Sequence, residues 1–170
     1  MFEGWDSFYL MVGGASGALI GLMFVVATLG TGHSREESLR GAAIYMTPTV
    51  VSFTVVLVVS ALTAVPHLRT EAVAAVLGAI AVGGLVYAGV TAWRLSRRSK
   101  APHWSDYWCY GYGPLVIYLA LGAAATAVDL GAPWSAQAVA AVLMSTLLLA
   151  IRNAWDLVTW LAPGNRSDSA

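Results

Sequence analysis

Side chains able to do chemistry are few and scattered in this 170-residue chain, where only 11% of positions are charged against about 25% in an ordinary soluble domain. The tightest grouping is Arg152, Asn153 and Asp156. Arg152 and Asp156 lie one helical turn apart and can pair on one face, with Asn153 beside them. Two uses follow. The cluster is either an anchor that fixes the depth of a helix at the membrane boundary, or a polar patch facing the bundle that binds another subunit or a lipid headgroup. His33, His67 and His103 fall in polar connections, so none is placed to ligate a haem within the membrane. With the single cysteine, Cys109, they make no zinc spacing. That cysteine sits among aromatics and suits reversible palmitoylation. Asp106 and Asp129 flank opposite ends of one apolar run and cannot cooperate. No Ser–His–Asp set, HExxH, phosphate loop or catalytic carboxylate pair is present. No ionisable group falls near the middle of an apolar run, as ion-coupled transport requires. The expectation is a chain with no enzymatic site, no metal and no cofactor. A formal net charge of zero gives no nucleic-acid signature.

The elements that must position these residues are apolar helices. The chain is 58% hydrophobic with a mean hydropathy of +0.71, which marks an integral membrane protein. Phe8 to Leu29 runs 22 residues without a charge, enough to cross a hydrocarbon core of ~30 Å. The lead MFEGWDS lacks the positive segment of a secretory signal, so this run is expected to stay as a first span. Further spans are expected at about 41–65, 71–93, 113–130 and 134–161. The fold class is therefore all-α, a polytopic bundle of five transmembrane helices in one domain over 1–162, with a polar tail at 163–170. Residues 30–40 read as a solvent loop in which Ser34 caps a short turn. Pro48 predicts a kink early in the second span, against the carbonyl of Ile44. Residues 94–109 change from cations to aromatics, the pattern of a membrane surface.

Small residues dominate two of these spans. Gly13, Gly17 and Gly21 recur every fourth residue and form one row on a helix. Ala75, Ala79 and Gly83 repeat that spacing in the third span, and Ala81, Gly84, Ala88 and Ala92 form a second row there. The glycine row is expected to pack either inside the bundle, against the small row of the third span, or between subunits. The first and third spans are thus expected at the centre of the bundle. Ser52, Ser60 and Thr63 form a polar row that lines a pore or, more commonly for hydroxyls in membrane helices, bonds to its own helix carbonyls or to a neighbour.

The stretch FYLMVGGASGALIGLMFVV, Phe8 to Val26, together with Asn153-Ala154-Trp155 near the end of the last span, resembles a family of small bacterial integral membrane proteins of unassigned function. The resemblance covers about 25 positions closely. It implies a membrane location and imports no reaction or substrate. Asp156 departs from the apolar residue that the family pattern has after N-A-W.

Charge sets the expected orientation. With five spans, Arg35, Arg40, Arg94, Arg97, Arg98, Lys100 and Arg166 share one side and Arg69 stands alone on the other. The positive-inside rule then puts the N-terminus outside and the C-terminus in the cytoplasm of the cell inner membrane. The functional expectation is a structural or interaction protein, self-associating or a subunit of a larger membrane complex, in contact with the lipid bilayer. The alternative is an oligomeric channel or transporter for a neutral or weakly polar solute. A tag after Ala170 is expected to be protected from protease added outside intact cells, and a tag before Met1 to be cleaved; the reverse pattern rejects the orientation.

Overall fold

Long uncharged runs of Ala, Val, Leu and Gly have few ways to satisfy their backbone in an apolar solvent, and the helix is the one that needs no second strand. The computed structural model describes residues 2–29, 47–96 and 107–161. The expected loop at 30–40 with its Ser34 cap, the first residues of the second span including Ile44, the cations from 97 to 100, His33, His103, Asp106 and the tail lie outside the described residues.

The described residues hold five α-helices. α1 is Asp6–Leu29, α2 Thr47–Thr63, α3 Thr70–Ser96, α4 Gly113–Asp129 and α5 Ser135–Leu161. A π-helical turn, Tyr107–Tyr112, runs directly into α4. α1, α3 and α5 are long and apolar enough to cross a membrane, which implies contact with a lipid bilayer. α2 and α4 have 17 residues each, or ~25 Å of α-helix. α4 stops at a Schellman turn. Gly131, at φ 67°, lets its own N–H reach Val128 O and that of Ala132 reach Ala127 O, at 3.0 and 2.9 Å. The chain then reverses into α5.

The helices form two antiparallel pairs, α1 with α2 and α3 with α4, and α5 packs against α2, α4 and α1. Val139 and Leu143 of α5 are fully buried in one core with Phe53, Val56, Leu77, Leu121 and Val128. The outward faces are apolar too: Leu10, Met11, Phe24, Val82, Val86, Val116, Leu119 and Leu148 are all exposed. So much contiguous apolar surface is unsuited to water and suited to lipid.

Two expectations are corrected. The central helix is α5, which packs on α1 and α2 of one pair and on α4 of the other; the two pairs otherwise meet only in a slight contact of α2 with α3, and α1 and α3 do not pack along each other. The row Ala75, Ala79, Gly83 is exposed, so the glycines of α1 do not pack on it. The second row of α3 is the one that packs within the chain. Ala81 and Ala88 are buried, and Gly84 lies under the ring of Tyr118 from α4. A Cβ on Gly84 would fall 2.2 Å from that ring. A helix with both rows small has to choose a side, and the bulk of one tyrosine decides it.

Gly84→Ala is expected to destabilise the fold by ~1–3 kcal/mol, the cost of overpacking a core. Gly83→Ala, with nothing within 4 Å of the new carbon, is expected to be neutral or to stabilise by up to about 1 kcal/mol through helix propensity. Unfolding of both variants in mixed micelles measures the difference.

Candidate functional site

Alternating helix directions bring the start of α2, the end of α3, the π-turn, the start of α4 and the end of α5 to one end of the bundle. The polar cluster read from the sequence sits there, and the structure divides it. Arg152 donates to Asp156 Oδ2 at 2.6 Å, with side chains 42% and 38% exposed. An ion pair so open to its surroundings contributes only about 0.3–0.5 kcal/mol. Asn153, between them in sequence, is turned inward and buried. Its Nδ2 donates to the carbonyl of Cys109 in the π-turn, at 3.3 Å.

The π-turn has a local cause and a local effect. Its wider spacing presses the Trp108 carbonyl toward Gly113, where a Cβ would lie 2.7 Å from that oxygen. Only glycine fits there. Pro114, in the first turn of α4, lacks an N–H at a position where the helix can spare one. Turns of this kind recur at functional sites because they break the regular ladder and re-aim groups.

A cavity of about 20 Å³ opens beside the turn. Among the described residues it is lined by Ser52 of α2, Tyr87 and Thr91 of α3, Cys109, Tyr118 of α4 and Asn153 of α5, together with Pro48, Ala88 and Pro114. Four helices and the π-turn therefore place a hydroxyl, thiol or amide group at one point. Ser52 Oγ donates to Pro48 O at 3.0 Å and Thr91 Oγ1 donates to Tyr87 O at 2.9 Å, each bond within its own helix.

The remaining candidate residues are distributed as follows. Gly13 meets α2, where a Cβ would lie 2.8 Å from Ser60 Cβ. Gly17 is in looser contact with Leu57, and Gly21 is exposed with nothing within 4 Å. Ser16, one turn beyond Gly13, donates to Phe53 O at 2.6 Å and ties α1 to α2. The hydroxyls of the polar row do not share one surface. Ser52 lines the cavity, Ser60 is buried against Gly13, and Thr63 bonds back to Ser60 O. Among the described residues no three of His, Cys, Asp and Glu come together. Sequence reasoning missed Tyr118 as the partner of Gly84, although a lone tyrosine opposite a row of small residues was a usable signal. It also missed Gly113, because the π-turn that makes it necessary has no sequence pattern. Comparison of the chain with protein-family models, with curated proteins and with solved structures finds no match in any of the three.

Arg152→Gln is expected to change unfolding free energy by about 0.5 kcal/mol or less, as for other exposed pairs. Asn153→Leu is expected to cost ~1–3 kcal/mol, because it removes the buried amide and leaves the Cys109 carbonyl without its donor. Equal losses in the two variants would show that Asn153 does not hold the π-turn.

Proposed function

We propose that the chain is a five-span bundle of the bacterial plasma membrane, with its N-terminus outside and its C-terminus in the cytoplasm. Its function is association with another membrane helix, either of a second copy or of a larger complex. The observation that carries this reading is the outward row Ala75, Ala79 and Gly83 on α3. The three residues are exposed and helically aligned, and a Cβ on Gly83 would meet nothing within 4 Å. Small residues let a second backbone approach closely, and in hydrocarbon such approach is a main source of helix association. The flanking position of α3 supports it, since a helix at the edge of a bundle is the one a partner can reach. α1 carries a shorter stretch of the same kind in Gly14, Ala18 and Gly21, all exposed. The resemblance of Phe8 to Val26 and Asn153-Ala154-Trp155 to small bacterial membrane proteins agrees with the location and adds no activity.

The reading of Arg152 and Asp156 as a depth anchor belongs to the same proposal. Both are half-exposed near the end of α5, next to Trp155, which is 68% exposed. A cation with a long stem beside an outward tryptophan suits the headgroup region. No enzymatic step is part of the proposal. A continuous solute path has less support, because Ser52 and Ser60 of α2 lie in separate surroundings.

Gly83→Leu is the direct test, since Gly83 has nothing within 4 Å and the change leaves internal packing alone. Native mass measurement after gentle extraction is expected to find the wild-type chain above its 17.8 kDa monomer mass, with itself or with a partner. The variant is expected at monomer mass with unchanged unfolding. A wild-type chain that stays monomeric and partner-free in lipid discs removes the proposal.

A further inference from the structure

The cavity beside the π-turn has a chemistry fixed by hydrogens that are already committed. A hydroxyl has one hydrogen to give and two lone pairs to receive. Ser52 gives its hydrogen to Pro48 O and Thr91 gives its to Tyr87 O. What these two groups offer the cavity is therefore acceptor lone pairs. Pro48 and Pro114 bring no N–H to the wall. None of the described residues of the wall carries a formal charge. Among them an anion finds no counter-charge, and a full cation would be desolvated without a carboxylate to pair with. The matching guest is neutral and donates hydrogen bonds to these two oxygens, while the Tyr118 hydroxyl and the Cys109 thiol of the same wall are donors that its own lone pair can accept from. Size narrows it further. A volume of about 20 Å³ exceeds the ~10–15 Å³ that one water requires and leaves little beyond it.

We propose that this cavity binds one uncharged hydrogen-bond donor of the size of water or ammonia, with Ser52 Oγ and Thr91 Oγ1 as its acceptors. The position gives the guest a structural consequence. Ser52 belongs to α2 and Thr91 to α3, two helices that otherwise touch only slightly. A guest shared between them joins the two antiparallel pairs at this end of the bundle, beside the Asn153 bond that ties α5 to the π-turn.

Cys109 lines the same cavity and is the chain's only cysteine, so it reports on occupancy in the intact protein. Its rate of modification by methyl methanethiolsulfonate is measured in lipid discs at one alkaline pH, with ammonium chloride, methylammonium chloride or potassium chloride. The same samples are taken to an experimental structure. If ammonia is the guest, ammonium slows labelling several-fold, methylammonium and potassium do not, and the effect is lost in Thr91→Val and in Ser52→Ala. If water is the guest, no salt slows labelling, and one ordered peak lies within hydrogen-bond distance of both oxygens in every salt. Absence of both the peak and the slowing overturns the proposal. Slowing that survives in both variants also overturns it, as does slowing by methylammonium equal to that by ammonium. Unfolding curves of the two variants, expected to remain cooperative, separate loss of the guest from loss of the fold.

Discussion

Hydrocarbon gives apolar helices no reason to leave lipid for one another, so their association depends on backbones that meet closely and on hydrogen bonds that cross between helices. Both helix pairs obey that constraint. The α3–α4 pair closes where Gly84 lies under the ring of Tyr118, and the α1–α2 pair where Gly13 meets Ser60. The bonds between helices are equally specific: Ser16 to Phe53 O, Tyr9 to Ala136 O, and Asn153 to Cys109 O. The last two hold α5 at its two ends, one against α1 and one against the π-turn. Between those ends its Val139 and Leu143 fill the gap between the pairs. α5 is the central helix because it carries the bulk that the glycine-rich helices lack.

The same constraint connects fold to function. A helix rich in small residues can pack on two sides, and among the described elements α3 packs chiefly on α4 and the π-turn. Its inner row is used by α4, and its outer row is left facing lipid. At the far end of the bundle, prolines and the π-turn interrupt regular backbone, and the polar groups of four helices gather around the interruption. Irregular backbone in such a protein is tolerated where protein or polar groups surround it. The cavity and the lateral face are therefore consequences of different features, and each is open to test without the other.

Much of this was legible in the sequence. Uncharged runs of helical length announced α1, α3 and α5, and the i,i+4 spacing of Arg152 and Asp156 announced their pair. The two small rows of α3 were visible, but which row faced inward was not. That depends on Tyr118, which is 34 positions away from Gly84 in the chain. Asn153 looked like a partner of the charges beside it, yet its amide turns to a carbonyl in another element. Helical periodicity places a residue on a face; it does not say which face a neighbour will occupy. The π-turn left no mark at all, since its cause is local backbone spacing and its one sequence sign, Gly113, resembles any glycine that opens a helix.

The central claim is that α3 packs through Ala81, Gly84 and Ala88 and leaves Ala75, Ala79 and Gly83 outward. Spin labels placed one at a time from Ala72 to Ala92, on a Cys109→Ser background and with one chain per lipid disc, read this directly through collision with dissolved oxygen. The account predicts collision minima at Leu77, Ala81, Gly84 and Ala88 and maxima at Ala75, Ala79 and Gly83. Minima at Ala75, Ala79 and Gly83, with maxima at Ala81, Gly84 and Ala88, would contradict it.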